Sequence, residues 1–89
     1  PTALGILAAV QAAGREKEMF ITGVDGSPDG VQAILDGTAM AATAAQSPAD
    51  IGILGVEYGL RLLNGETVPD FIPVPVKLIT IENAEGFSW

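Results

Sequence analysis

The chain has 89 residues, 48% hydrophobic and 17% charged, a formal net charge of −7, and neither cysteine nor histidine. That length holds one small domain with a modest core, and the apolar content excludes a disordered chain. The acidic balance argues against nucleic acid and anionic membrane surfaces, and without histidine or cysteine there is no Ser-His-Asp triad, no Cys-His pair and no thiolate or imidazole metal site.

No metal or other cofactor is expected. No stretch approaches the roughly 20 apolar residues that cross a bilayer. No signal peptide is visible, and the chain starts at Pro1, as a processed chain or a piece of a longer one would.

Thr2 is the expected cap of a helix over residues 3–13. Leu4, Leu7, Ala8 and Gln11 share a face, flanked by Ala3 and Val10. Gly14 suits the position after the helix, with Arg15 and Lys17 near its negative end. Gly5 costs a helix up to about 1 kcal/mol relative to alanine, which points to close packing on a sheet. The run Arg15-Glu16-Lys17-Glu18 reads as a solvated connection.

Residues 19–24 (Met-Phe-Ile-Thr-Gly-Val) are mostly apolar without alternation, the pattern of a strand covered on both faces in a parallel sheet. Asp25 follows where the strand runs out. Ligands of open α/β sheets bind outside the carboxyl ends of the strands, so Asp25 is a candidate ligand residue. The competing reading is a turn acid capping the next helix. Ser27 suits the cap of that helix, Pro28 its first position and Asp29 its first turn. Gly26 and Gly30 are turn and packing glycines, since phosphate-loop spacings are absent.

The second helix is expected over residues 28–36, with Val31, Ile34 and Leu35 as its stripe and Gly37 as its end. Residues 39–45 (Ala-Met-Ala-Ala-Thr-Ala-Ala) read as a short strand despite alanine's preference for helix, because they lie between a helix stop and a helix start. Gln46 ends this strand. It is either a second ligand group or a side chain satisfying local backbone.

Ser47-Pro48-Ala49-Asp50 combines a cap, a first-position proline and a first-turn acid. The helix should run to about Asn64. Ile51, Leu54, Val56, Tyr58, Leu60, Leu62 and Leu63 make it apolar over a broad face. Gly52, Gly55 and Gly59 form a small-residue groove suited to packing on another element, while Glu57 and Arg61 interrupt any membrane motif. Residues 71–81 read as extended chain. Pro73 and Pro75 cannot donate to a ladder, which places them at an edge, a crossover or a strand start, and residues 76–81 can pair. Residues 82–89 read as a tail.

The order α-β-α-β-α-β fits a three-layer α/β arrangement with right-handed crossovers. Three parallel strands covered by helices leave open edges, and the helix after Ser47 lacks a partner. Part of the fold is therefore expected to lie outside this chain.

Four runs share one resemblance: Ala3-Leu4-Gly5 with Ala12-Ala13-Gly14; Gly23-Val24-Asp25-Gly26-Ser27-Pro28-Asp29-Gly30; Ala41-Ala42-Thr43-Ala44-Ala45-Gln46-Ser47-Pro48; and Gly52, Gly55-Val56-Glu57 with Leu63-Asn64-Gly65-Glu66. Together they resemble the C-terminal part of ribose/galactose-type periplasmic sugar-binding proteins of bacterial ABC transporters. Pro75-Val76-Lys77-Leu78-Ile79-Thr80 is similar to the last strand of that family. The resemblance implies an α/β fold of type I periplasmic binding proteins, two Rossmann-like parallel-sheet lobes closing on a sugar or polyol. It implies that Asp25 and Gln46 bond sugar hydroxyls. A carboxylate accepts charge-assisted hydrogen bonds, and an amide both donates and accepts.

It further implies that residues 1–46 belong to the C-terminal lobe, 47–74 to a helix and crossover of the N-terminal lobe, and 75–89 to a return strand and tail. Gln46, Ser47, Val74, Pro75 and Val76 would then be hinge residues. The implied partners are the sugar, an ABC permease and the missing N-terminal part of the same protein. The implied location is periplasmic or extracytoplasmic, lipid-anchored or secreted. Tyr58, Phe71 and Trp89 are read as packing residues and not as sugar stackers.

The function expected is therefore solute binding and delivery, not catalysis. The alternative is the effector-binding domain of a LacI-type repressor, which shares the fold. A phosphoacceptor role for Asp25 would need neighbouring acids for Mg²⁺, and none stands at another strand end.

Overall fold

The computed structural model describes residues 1–88, so the reading of Trp89 as a packing residue lies outside the described residues. The elements are α1 (Thr2–Ala12), β1 (Ile21–Asp25), α2 (Pro28–Leu35), β2 (Met40–Ala45), α3 (Pro48–Leu63) and β3 (Lys77–Thr80).

Two helix starts follow from their caps. The Ser27 hydroxyl accepts from the Gly30 amide at 3.2 Å, and the Ser47 hydroxyl from the Asp50 amide at 3.3 Å. Pro28 and Pro48 fill the first helical positions, where a missing N–H costs nothing. Thr2 is not the cap expected of it: it is already helical, and Pro1 precedes it without a side-chain hydrogen bond. The buried face of α1 is also turned from the expected one. Leu7 is buried and Ala3, Leu4 and Val10 are half-buried, while Ala8 and Gln11 are exposed. Among the described residues Gly5 faces open space and serves no packing contact.

The sheet order is β1-β2-β3. β1 and β2 are parallel, with a register irregularity between Ile21 and Thr22. β3 runs antiparallel to β2, pairing Lys77 with Ala45 and Thr80 with Ala42. This corrects the expectation of three parallel strands. The chain leaves the sheet at the carboxyl end of β2 and re-enters beside that same end, so the only direction open to β3 is back along β2.

β1 begins two residues later than the apolar run, and Met19 and Phe20 are exposed. It is covered on one face only. α1 lies on β1, α2 lies on β2, and the two helices touch each other, which is impossible across a sheet. The row Gly23, Thr43, Ile79 lies under the helices. The adjacent row Val24, Ala44, Leu78 faces the open side, where Val24 and Leu78 are 60% and 64% exposed. Among the described residues the layers are therefore two, not three.

Leu7, Ile21, Val31, Ile34, Met40 and Ile79 form the core with Ala33, Ala45 and Ala84. Each large side chain contributes about 1.5–3 kcal/mol on burial. Gly23 lets α1 approach the sheet, because a Cβ there would lie 2.8 Å from the Ala3 Cβ. The segment after β3 is not a loose tail. The Asn83 side chain accepts from the Thr80 amide at 2.8 Å and donates to the Leu78 carbonyl at 2.9 Å. Ala84 is 1% exposed, and Phe87 packs on the core.

α3 stands away from this body. None of its residues is buried, and the molecule measures 57 × 24 × 15 Å. Its radius of gyration is 17.1 Å, against about 12 Å for a compact chain of this length. Ile53, Val56, Leu60 and Leu63 are 56–84% exposed, and among the described residues nothing outside the helix's own backbone would lie within 4 Å of a Cβ placed on Gly52, Gly55 or Gly59. Phe71 is 79% exposed, whereas Tyr58 is half-buried beneath Arg61, whose guanidinium lies 4.9 Å from the ring centre.

This surface predicts that the 89-residue chain on its own self-associates. Sedimentation should show oligomers at micromolar concentration. Replacing Ile53, Val56 and Leu60 by lysine should return a monomer with the circular dichroism of the sheet retained. A sharply monomeric parent chain would contradict the expectation.

Candidate functional site

Asp25 is the last residue of β1, and Gln46 is the first residue after β2. Asp25 pairs with Ala45 in register, and the Gln46 amide donates to the Asp25 carbonyl at 3.0 Å. The two side chains therefore spring from neighbouring points on the carboxyl edge of the sheet. Asp25 is half-buried and Gln46 exposed. The Gln46 side chain does not enter the core, and the cap of α2 is Ser27 rather than Asp25.

Asp25 has φ +114°, in the left-handed region that residues with a Cβ rarely adopt. Such a conformation costs of order 1–3 kcal/mol and persists only where surrounding contacts impose it. Gly26 follows at φ +70° and is buried. A Cβ on Gly26 would lie 2.5 Å from the Ala45 Cβ, so only glycine lets the turn close against β2. The Gly26 amide donates to the Thr43 hydroxyl at 3.1 Å, and Thr43 is 2% exposed.

Two concavities meet this edge. One, of about 280 Å³, is lined by Asp25, Thr22, Gly23 and Val24 with Pro1, Thr2, Ala3 and Ile6 at the start of α1. The other, of about 290 Å³, is lined by Gln46, Ser47, Pro75, Val76 and Lys77, among others. Asp25 and Gln46 are thus brought together through the backbone but line different hollows. Of the proposed hinge residues, Gln46, Ser47, Pro75 and Val76 share the second hollow; Val74 is half-buried and lies outside that lining. Among the described residues no group of three or more His, Cys, Asp or Glu is placed to hold a metal ion, and no helix is long and apolar enough to cross a membrane.

A family model described as a periplasmic binding protein domain matches residues 1–67. The chain belongs to the periplasmic binding protein family.

Among its relatives, the ribose import binding protein of Haemophilus influenzae is 50% identical over 78 residues, which is 88% of this chain and 26% of that protein. The ribose import binding protein of Salmonella typhimurium is 47% identical over 77 residues, 86% of this chain and 25% of that protein. A solved ABC transporter solute binding protein from Agrobacterium vitis, with bound allitol, is 37% identical with a TM-score of 0.84, covering 92% of this chain and 28% of that one. This periplasmic binding protein chain thus spans about a quarter of the length of these relatives.

The sequence reading missed Thr43 and Phe87 of this binding-protein edge. Thr43 is the one hydroxyl in the alanine run of β2, which is the signal that could have singled it out. A Cβ on Gly26 would lie 3.5 Å from the Phe87 ring, a proximity between residues 61 positions apart that no local pattern announces.

Gly26→Ala should destabilise the protein by about 2–4 kcal/mol, from overpacking against Ala45 and the left-handed backbone. Urea unfolding checks this, and a loss below about 1 kcal/mol would contradict the close fit.

Proposed function

We propose that this chain is the C-terminal part of a two-lobed extracytoplasmic solute-binding protein that holds a sugar or polyol and delivers it to an ABC permease. The observation that carries the reading is the Asp25–Gln46 pair, a carboxylate and an amide rooted at neighbouring points of the carboxyl edge, the first on a constrained backbone. Asp25 accepts hydroxyl protons in charge-assisted bonds, and Gln46 both donates and accepts. Relatives named for ribose import, and one solved with allitol, favour a polyhydroxylated ligand of that size. The same relatives favour transport over an enzyme and over a repressor.

In this reading residues 1–46 belong to the C-terminal lobe, and 47–74 to a helix and crossover of an N-terminal lobe supplied by the rest of the protein. The chain returns at residue 75. The stand-off of α3 supports that division, as does a match to 92% of the chain, too long to omit α3. Gln46, Ser47, Val74, Pro75 and Val76 form two neighbouring hinge strands across which the lobes close. The protein works in the periplasm or at the outer face of the membrane, secreted or lipid-anchored.

In the two-lobed protein, Asp25→Ala should weaken D-ribose binding at least tenfold, since a hydrogen bond to a charged group contributes roughly 1.5–3 kcal/mol. Gln46→Ala should weaken it several-fold. Titration calorimetry against ribose, allose and allitol is the measurement. Unchanged affinity for whichever of them binds the parent would defeat the assignment.

A further inference from the structure

The strained position of Asp25 needs a holder, and the turn after it supplies one. The Asp25 carbonyl and the Gly26 amide belong to a single peptide unit. Its oxygen accepts from the Gln46 amide at 3.0 Å, and its N–H donates to the Thr43 hydroxyl at 3.1 Å. Both polar ends of the unit are therefore pinned to β2. A peptide plane held at both ends cannot rotate, and that fixes ψ of Asp25 and φ of Gly26 together. The direction in which Asp25 leaves the backbone follows from those angles.

Among the described residues nothing else about Thr43 accounts for a hydroxyl. It is 2% exposed in a strand that is otherwise methionine and alanine, where valine would fill the same volume. A buried hydroxyl costs free energy unless it is bonded, and this one accepts from the Gly26 amide.

We infer that Thr43 is a positioning residue for ligand binding: it touches no ligand, and holds the Asp25–Gly26 peptide so that the Asp25 carboxylate is presented to the ligand in one orientation. This rests on the reading of Asp25 as a ligand group. Thr43→Val keeps the shape and removes the acceptor. The buried Gly26 N–H is then left unpaired, and the peptide turns to find another partner. Thr43→Ser keeps the acceptor and loses a methyl group.

The test uses the two-lobed protein, with D-ribose, allose and allitol as probes. Thr43→Val should raise Kd about tenfold while the apo protein stays folded, and Thr43→Ser should stay within about threefold of the parent. In an Asp25→Ala background, Thr43→Val should change Kd by less than about twofold, because the group it positions is gone. An unchanged Kd in Thr43→Val overturns the inference. So does an equal loss in both backgrounds, which would make Thr43 a general packing residue. If Thr43→Val does not fold, hydrogen exchange at the Gly26 amide of the parent decides: slow exchange supports the pinned peptide, and exchange as fast as an open loop overturns it. Unchanged affinity in Asp25→Ala alone defeats the ligand reading. A loss in Asp25→Ala without one in Thr43→Val defeats only the role of Thr43.

Discussion

The hydrogen bond from the Gln46 amide to the Asp25 carbonyl, 3.0 Å long, is the last rung between β1 and β2, and the arrangement of the edge depends on it. It sets the point at which both strands stop. It puts an acid and an amide on neighbouring chains, and it leaves the Gly26 amide to seek its partner in Thr43. Parallel pairing makes this possible, because both strands then deliver their carboxyl ends to one side. The small residues of β2 are the second requirement. Ala45 lets Gly26 close down on it, where a larger residue would force the turn outwards.

The body beneath that edge is thin. Two helices cover one face of three strands, and the exposed Val24 and Leu78 on the other face are side chains of the kind cores are made from. α3 repeats the pattern, with a wide apolar surface and a row of glycines meeting nothing among the described residues. Contiguous exposed apolar surfaces of this size mark interaction surfaces, and the chain spans about a quarter of the length of its relatives.

Much of this was legible in the sequence where the signal is local. Ser27-Pro28 and Ser47-Pro48 announce helix starts because capping is decided within four residues. The strand assignment for the alanine run of β2 held against its propensity, because the stops and starts around it left no room for a helix. The placement of Asp25 and Gln46 at strand ends was legible for the same reason. What failed was non-local. The direction of β3 depends on where a long excursion returns, and the open face of β1 depends on which side α1 chooses. The burial of Ala84 depends on a loop closing over the sheet. The Thr43–Gly26 bond joins residues 17 apart, beyond the reach of any helical or strand period.

The return of the chain beside its point of departure has a topological consequence. Ala45 and Lys77 are direct partners, so β2 and β3 are neighbours in the manner of a hairpin whose connection happens to contain α3. Closing about thirty residues in place of two adds roughly 2 kcal/mol of loop entropy, a small amount for a segment that large. The sheet is therefore indifferent to what lies between its second and third strands. The intervening segment behaves as an insertion with both ends moored at one spot: its middle is free to change in length, while its ends, Ser47 and Pro75–Val76, wall the hollow beside Gln46.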